Sequence, residues 1–151
     1  MAIRLETSKG RGIDNWQGRE ISSFHLNWSR ELPKHFPYAT RRTEPSPFYN
    51  CHGLVFGCRR TSIEKRAAIN LILNDDNYVE IPMTEVLPGD IVIYYSEQGD
   101  PNHSGVVLEY KAPLVLPIIF SKWGNAGEHI HALRDCPTMY GPICKFYRCK
   151  L

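Results

Sequence analysis

The chain is 151 residues long, enough for one domain with its own core. Its composition, 42% hydrophobic and 23% charged residues, is ordinary for a soluble globular protein. Its 18 basic and 16 acidic residues leave a net charge of +2, which argues against a nucleic-acid partner. No apolar run is long enough to span a bilayer, and residues 1–10 lack the apolar stretch of a secretion signal. We therefore expect no membrane partner and a protein that is cytoplasmic as synthesised.

The cysteines are odd in number, which argues against a disulfide framework. None of them forms a Cys-x-x-Cys pair, the usual start of a structural zinc site. We expect reduced thiols, no metal and no cofactor. The five are Cys51, Cys58, Cys136, Cys144 and Cys149.

Residues 1–48 combine scattered aromatic side chains with Pro and charged residues and show no sustained hydrophobic period. We predict an irregular segment with one short helix from about Ser22 to Leu32. Because a disordered tail would contain fewer aromatics, we expect this segment to pack against the core or to wall a cleft. Pro45 and Pro47 then favour an extended chain just before Cys51.

The rest of the chain changes from helical to strand patterns. The apolar positions after Cys51 predict a helix to about Arg60, and a second helix starts from a Thr61 or Ser62 cap and ends at residues 74–77. Helices followed by strands predict the α+β class, with a mostly antiparallel sheet of about five to six strands. We expect one domain over 1–151, with its catalytic core in 49–151. Runs of β-branched and aromatic residues predict strands over 78–81, 91–95, 104–110, 115–121, 128–133 and 143–148.

Cys51 is the first candidate for a catalytic residue. It lies at the predicted first turn of a helix, where unpaired N–H groups and the positive end of the helix dipole favour thiolate over thiol. Its backbone N–H would also help to form an oxyanion hole. The alternative is a buried cysteine that acts as a small apolar side chain, as we expect for Cys58 farther along the same helix.

His103 is the second candidate. It precedes the apolar residues 105–108, so we expect it at the mouth of a strand. A neutral imidazole beside the thiol can take its proton and later return it to the leaving group. A lone histidine here could equally be a solvated loop residue, so the prediction depends on its pairing with Cys51. Gly105 has no side chain and would let the helix that carries Cys51 approach this strand closely.

Three motifs together resemble a known family. They are Tyr49-Asn50-Cys51-His52-Gly53-Leu54-Val55, Pro88-Gly89-Asp90-Ile91-Val92 and His103-Ser104-Gly105-Val106-Val107. In order and approximate spacing they resemble the NlpC-type and CHAP-type cysteine amidohydrolases of the papain-like superfamily, over roughly residues 49–133. The resemblance implies a papain-like fold with Cys51 as nucleophile and His103 as base. Asn50 departs from the family pattern, which commonly has aspartate before the cysteine.

A third residue would orient the imidazole by accepting a hydrogen bond from its other nitrogen. Ile130-His131-Ala132 resembles the segment that carries this residue in NlpC-type enzymes, so the resemblance implies His131. His129, Glu128 and Asn125 are the alternatives, and His129 lies on the same strand face as His131. The two histidines could instead be surface residues or a metal pair, although no third ligand has suitable spacing.

Four residues near these motifs are candidates for binding the substrate. A loop tryptophan often only covers the core, but the place of Lys122 and Trp123 between the candidate histidines allows them to wall the cleft. Tyr49 lies two residues before the nucleophile and could aim its hydroxyl at the site. The four candidates are Tyr49, Asn50, Lys122 and Trp123.

These residues predict a cysteine hydrolase that cleaves an amide or peptide bond through a thioester, with Cys51, His103 and His131 as its triad. The family often acts on cell-wall peptides, so the resemblance implies a cell-wall peptide or a protein as substrate. Without a secretion signal, export as an antibacterial effector, phage-borne lysis and an intracellular substrate all stay open. Deamidation, acyl transfer and a non-catalytic binding module on the same fold are the alternatives.

Overall fold

The computed structural model describes residues 1–110 and 116–150. Within these residues the chain forms three α-helices and seven strands. The helices are α1 (Ser23–His35), α2 (Cys51–Phe56) and α3 (Arg66–Asp75). The strands are β1 (Thr40–Arg41), β2 (Tyr78–Ile81), β3 (Ile91–Tyr95), β4 (Pro101–Glu109), β5 (Ile118–Lys122), β6 (Glu128–Ala132) and β7 (Ile143–Cys149).

All seven strands belong to one antiparallel sheet in the order β1-β6-β5-β4-β3-β7-β2. The predicted α+β class and antiparallel sheet are confirmed, but the predicted strand number was too low. The additional strand is β1, a two-residue pairing with β6 inside the segment predicted to be irregular except for one helix. The strand predicted over 115–121 is found as β5, and its predicted first residue lies outside the described residues.

Helices cover both faces of the sheet. The apolar run of β3 has no polar position, which is the pattern of a strand buried on both sides, and all five of its residues are buried. Val92 and Tyr94 face α1 in a core with Leu32. On the opposite face, α3 packs on Ile91 and Ile93, and α2 packs through Leu54 onto Phe120 of β5.

Helix α2 is short because its sequence supplies both a cap and a stop. The Asn50 side chain accepts the Gly53 N–H at 2.8 Å, which satisfies one of the free donors at the helix start. After Gly57, Cys58 and Arg59 take left-handed backbone conformations with φ of 51° and 62°. The helix therefore ends at Phe56 and not near Arg60 as predicted, and Cys58 is exposed instead of lying in the core.

The predicted caps of α3, Thr61 and Ser62, belong instead to a buried extended segment, and α3 starts after Lys65. Two backbone hydrogen bonds of 2.9 and 2.8 Å pair Ser62 with Trp16 of the N-terminal segment. Helix α2 lies directly against this segment, since a Cβ on Gly53 would be 1.8 Å from the carbonyl oxygen of Thr61. The N-terminal segment, residues 61–63 and α2 therefore form one packed unit.

The first residues of the chain are held by a buried carboxylate at the end of α3. Asp75 is 1% exposed and accepts hydrogen bonds from the Thr7 hydroxyl and from Nε of Arg11, both at 2.7 Å. The Arg11 guanidinium holds the pKa of Asp75 well below its usual range.

None of the helices in the described part of the chain is long and apolar enough to cross a membrane.

Candidate active site

A cavity of about 530 Å³ lies at the end of the sheet where β4 starts and β5 ends. Cys51 and His103 both line it. Cys51 reaches it as the first residue of α2, and His103 reaches it as the third residue of β4. The two predicted catalytic residues, 52 positions apart in sequence, therefore share one cleft.

The two side chains enter this cleft from different faces of the sheet. His103 pairs with Tyr94 across β3 and β4, so by strand alternation it projects on the face that α1 covers. Helix α2 packs on the other face, on the side of Ser104. The cavity is at the end of the sheet, where a side chain from either face can reach it.

A hydrogen bond between neighbours of the two candidates joins α2 to β4. Nδ1 of His52 lies 2.8 Å from Oγ of Ser104, and both side chains are buried. His52 follows Cys51 and Ser104 follows His103, so this contact fixes their relative positions. Gly105 does not have its predicted role, because a Cβ there would meet Ile119 and Ser121 of β5 and not α2.

Cys51 is 8% exposed and is surrounded by donors. The backbone N–H groups of Ser104, His52 and Cys51 itself, together with the Lys122 ammonium, favour the thiolate. Burial has the larger effect and raises the pKa of the Cys51 thiol to about 11. The donors at the helix start favour the thiolate, as predicted, but desolvation outweighs them, so the thiol form is favoured.

His103 is 1% exposed and is held between aromatic rings. Its imidazole stacks on the Tyr140 ring with centroids 3.7 Å apart and planes 2° apart, and the Tyr94 ring meets it edge-on at 5.3 Å. Burial, and the positive charges that His131 and His52 would carry, lower the pKa of His103 well below its usual value. Its Nε2 is buried and has no hydrogen-bond partner among the described residues.

His131 does not orient His103. Its Nε2 lies 2.7 Å from Oγ of Ser121, and its Nδ1 lies 2.8 Å from the carbonyl oxygen of Ala132. Because a carbonyl only accepts, Nδ1 carries the proton and Nε2 accepts from the Ser121 hydroxyl. That hydroxyl in turn accepts from Nε1 of Trp123 at 3.2 Å. The predicted direct bond is absent because both nitrogens of His131 are committed to this network.

The alternatives for the third residue have other partners or lie elsewhere on the cavity wall. His129 stacks on Trp123 with centroids 4.0 Å apart, and its Nδ1 donates to the Gly127 carbonyl. Glu128 is buried on the opposite face and accepts from the Tyr49 hydroxyl at 2.6 Å. Asn125 lines the cavity. No group of three His, Cys, Asp or Glu side chains suited to a metal ion occurs within residues 1–110 and 116–150.

Three of the predicted substrate-binding residues are part of the core or of its support. Trp123 and Lys122 are both 0% exposed, so neither walls the cleft. Tyr49 is buried, and its hydroxyl binds Glu128 instead of pointing into the site. Asn50 does line the cavity, but its amide oxygen and nitrogen are committed to the backbones of Gly53 and Ile63.

Lys122 has a positioning role that its sequence context does not predict. Its buried ammonium donates to the carbonyl oxygens of Ser46, Tyr49 and Gly124 at 2.7, 2.9 and 2.6 Å. It also lies 4.6 Å from the centre of the Tyr49 ring. Three donors meet three acceptors, so the chain just before Cys51 is tied to the end of β5. Burial lowers the pKa of Lys122 to about 8, and the Cys51 and Glu128 charges oppose this shift.

Two residues of the site were missed from the sequence. Tyr140 follows a Pro-Thr-Met turn and lies in a short 3-10 helix over Thr138–Tyr140, far from every motif. His52 follows Cys51 directly, and nothing in the sequence indicates a separate role for it. The Pro137 turn and the Tyr-Gly-Pro stretch at 140–142 were the only local signals, and they indicate a tight loop without indicating what it covers.

No family model, no curated protein and no solved structure matches the chain. The resemblance to NlpC-type and CHAP-type enzymes, together with the papain-like fold that it implies, therefore stays a prediction. A chemical role for this cleft has to be supported by its own residues.

Acid should destabilise the fold because several histidines are buried in the neutral form. Burial lowers the pKa of His52, His129 and His131 to about 4, against about 6.5 in the unfolded chain. The unfolded chain therefore binds more protons between these values, so this stability is complete above about pH 6.5 and is lost as the pH falls towards 4. We expect the free energy of unfolding in urea to fall by roughly 2 kcal/mol per histidine between about pH 7 and about pH 4.5.

The His129→Phe variant keeps a ring against Trp123 and should show a smaller fall over the same pH range. Substitution of the exposed His35 by Gln serves as the control and should follow the wild type. An unfolding free energy that is equal at both pH values in the wild type would contradict the burial of neutral imidazoles.

Removal of the Lys122 ammonium should destabilise the protein more than removal of a surface ammonium. Lys122→Met keeps most of the apolar stem but leaves three carbonyl groups without their charged donor, which we expect to cost about 3 kcal/mol or more in urea unfolding. Lys145→Met is the matched control, since Lys145 is partly exposed and lies 3.8 Å from Glu80, and it should change stability by less than about 1 kcal/mol. An equal loss of unfolding free energy in the two variants would contradict the positioning role of Lys122.

Proposed function

We propose that the protein is a cysteine hydrolase that cleaves an amide or peptide bond through a thioester. The observation that carries this proposal is the shared cleft: Cys51 is the first residue of α2, His103 is the third residue of β4, and both line one cavity. The unpartnered Nε2 of the buried His103 supports it further, since a buried polar nitrogen without a partner is costly in a residue with only a structural role.

The first half of the reaction forms the acyl-enzyme. A ring nitrogen of His103 takes the thiol proton of Cys51 as the sulfur attacks the carbonyl carbon of the substrate. A C–S bond forms, and the carbonyl electrons move to oxygen. The backbone N–H groups around the sulfur, from Cys51, His52 and Ser104, would donate hydrogen bonds to this oxygen. The C–N bond then breaks, and the amine leaves with the proton that the imidazolium returns.

The second half releases the acid. His103 takes a proton from a water molecule that attacks the thioester, the C–S bond breaks, and the thiolate recovers the proton from the imidazolium. The products are an amine and a carboxylic acid, so one water is consumed and no oxidant or reductant is needed. If a second amine replaces the water, the same thioester gives acyl transfer, and a primary amide substrate gives deamidation.

The resting pair is neutral in this mechanism. The pKa of the Cys51 thiol is raised and that of His103 is lowered, so the proton stays on sulfur until a substrate enters. Proton transfer and attack are therefore coupled, which is general-base catalysis and not the reaction of a preformed thiolate–imidazolium pair. The same shifts favour a second candidate function, a binding module in which Cys51 is an inert buried thiol.

The enzyme and the binding module are distinguished by trapping the acyl group. We expect incubation with p-nitrophenyl acetate to add one acetyl group to Cys51, located by mass spectrometry of peptides from the digested protein. His103→Ala should lower the rate of this step by about 100-fold or more, because the general base is removed. Cys51→Ala should remain unlabelled at that position and should unfold at the same temperature within a few degrees.

Cys58→Ala is the matched control, since Cys58 is exposed and lies outside the cavity. It should keep the rate of Cys51 acetylation. Product analysis of a pool of synthetic peptides by mass spectrometry then separates cleavage, deamidation and transfer. Acetylation of Cys51 at equal rates with and without His103, or identical peptide products from wild type and Cys51→Ala, would overturn the proposal in favour of the binding module.

The ring of Tyr140 should matter more than its hydroxyl. Tyr140→Phe keeps the stack on His103, so the rate of Cys51 acetylation should remain close to that of the wild type. Tyr140→Leu removes the stack, and we expect a rate about 3- to 10-fold lower with a shifted pH profile, because the imidazole loses its fixed plane. Equal losses in both variants would assign the effect to the hydroxyl instead.

A further inference from the structure

We propose that the groove beside Cys51 selects substrates that carry a positively charged amine close to the amide that is cleaved. The position of that amide rests on the proposed function. The preference for positive charge rests on the groove itself and can be measured without turnover. The partner chemistry is an alkylammonium group on a peptide, either a lysine side chain or a free α-amine.

The charged side chains of the cavity wall are acidic. Glu20 and Glu64 both line the cavity that holds Cys51 and His103, and no Lys or Arg is among the described residues that line it. This contrasts with the chain as a whole, in which basic residues outnumber acidic ones. A cleft whose charges share one sign attracts ligands of the opposite sign.

The neighbouring cations do not neutralise these carboxylates. Lys65 follows Glu64 in sequence, but its Nζ lies 2.7 Å from Asp14, and Arg66 pairs with Asp100 at the same distance. Within the described residues, neither Glu20 nor Glu64 has an ion pair inside 4.0 Å. The two carboxylates are therefore available to a ligand.

Aromatic rings line the same cavity as the two carboxylates. Trp16, Phe24 and Trp28 line the same cavity, and Trp16 and Phe24 are 60% and 72% exposed. Exposed apolar side chains that are grouped along one groove, unlike single exposed ones, are typical of ligand-binding sites. A carboxylate next to an aromatic face is a favourable environment for an ammonium group, because the ring face attracts cations as well.

The wall is held rigidly and is open along its length. The backbone pairing of Trp16 with Ser62 fixes this side of the groove against the segment that ends at Glu64. A second cavity of about 240 Å³ shares Trp16, Ser62 and Glu64 with the first, so the groove continues past them. The charged residues that it adds, Asp14 and Lys65, form an ion pair with each other. This length suits a peptide better than a compact small molecule.

A buried polar group without a partner lies in the wall of the same cavity. His103 lines it, is 1% exposed, and has an Nε2 without a partner among the described residues. The acidic and aromatic wall then lies within the same cavity as the reacting residues.

The test measures binding to the Cys51→Ala protein by isothermal titration calorimetry. The probes are N-acetyl-Ala-Lys-Ala amide, the same peptide with an acetylated lysine side chain, its Glu counterpart, and Ala-Ala-Ala amide with a free α-amine. We expect the lysine peptide or the free-amine peptide to bind about 10-fold more tightly than the acetyl-lysine peptide, and the Glu peptide to bind most weakly. Which of the two amine probes binds tightly identifies the source of the charge.

Charge-neutral variants locate the preference. Glu20→Gln and Glu64→Gln should each weaken binding of the cationic probe about 3- to 5-fold and leave the acetyl-lysine probe unchanged. Glu85→Gln is the control, since Glu85 is exposed and lies outside both cavities, and it should bind every probe like the parent protein. Added salt should reduce the preference.

The outcomes separate this inference from the proposed function. Equal binding of cationic and neutral probes, tighter binding of the Glu peptide, or no binding of any probe overturns the inference, even if the wild type acetylates at Cys51. Selective binding of a cationic probe that both glutamine variants weaken supports it, even if no acyl-enzyme forms and the proposed function fails.

Discussion

The placement of Cys51 depends on a single buried ammonium group. Lys122 projects from the end of β5 into the space beneath the chain that leads to α2 and bonds two of its carbonyl groups, those of Ser46 and Tyr49. This chain contains Pro45 and Pro47, which cannot donate backbone hydrogen bonds, so it has few ways to pair with the sheet. The long cationic side chain of Lys122 holds this segment instead, because it brings three donors to carbonyl groups that pair with no strand among the described residues.

The burial of this charge is compensated locally. The carboxylate of Glu128 lies across from Lys122 in the β5–β6 pairing and is itself buried. It accepts from the Tyr49 hydroxyl and pairs with Arg59, which comes from the left-handed turn after α2. Both ends of α2 are thereby tied to the same pair of strands, and the short helix gains a fixed orientation that its own six residues could not supply.

Those features of the fold that depend on local pattern were predictable. The apolar run of β3, the alternation of β6 and the amphipathic spacing of α3 follow from hydrophobic periodicity, so the class of the fold and most strands were predicted. The exceptions have local causes. A two-residue strand such as β1 has no period to detect, and the stop after Gly57 depends on left-handed conformations at Cys58 and Arg59 that neither residue type favours.

The candidate site was predictable only in part, for a different reason. Cys51 and His103 stand at element boundaries, and such positions are visible as a change of pattern. The functions of Lys122, Glu128 and His131 depend on partners far away in sequence, and the same residue types occur on most protein surfaces. Tyr140 illustrates the limit, since a turn sequence predicts a loop without predicting that its ring will lie flat against His103.

The buried, protonated state of Cys51 has a consequence for its chemical lifetime. Peroxides and similar oxidants react with the thiolate. Because the Cys51 thiol is protonated and nearly enclosed, very little thiolate is exposed to them. Cys58 and Cys149, which are exposed, would meet such oxidants first. The cleft would therefore shield the proposed nucleophile from sulfenic and sulfinic acid formation between encounters with substrate, and the first step would be slower when a substrate arrives.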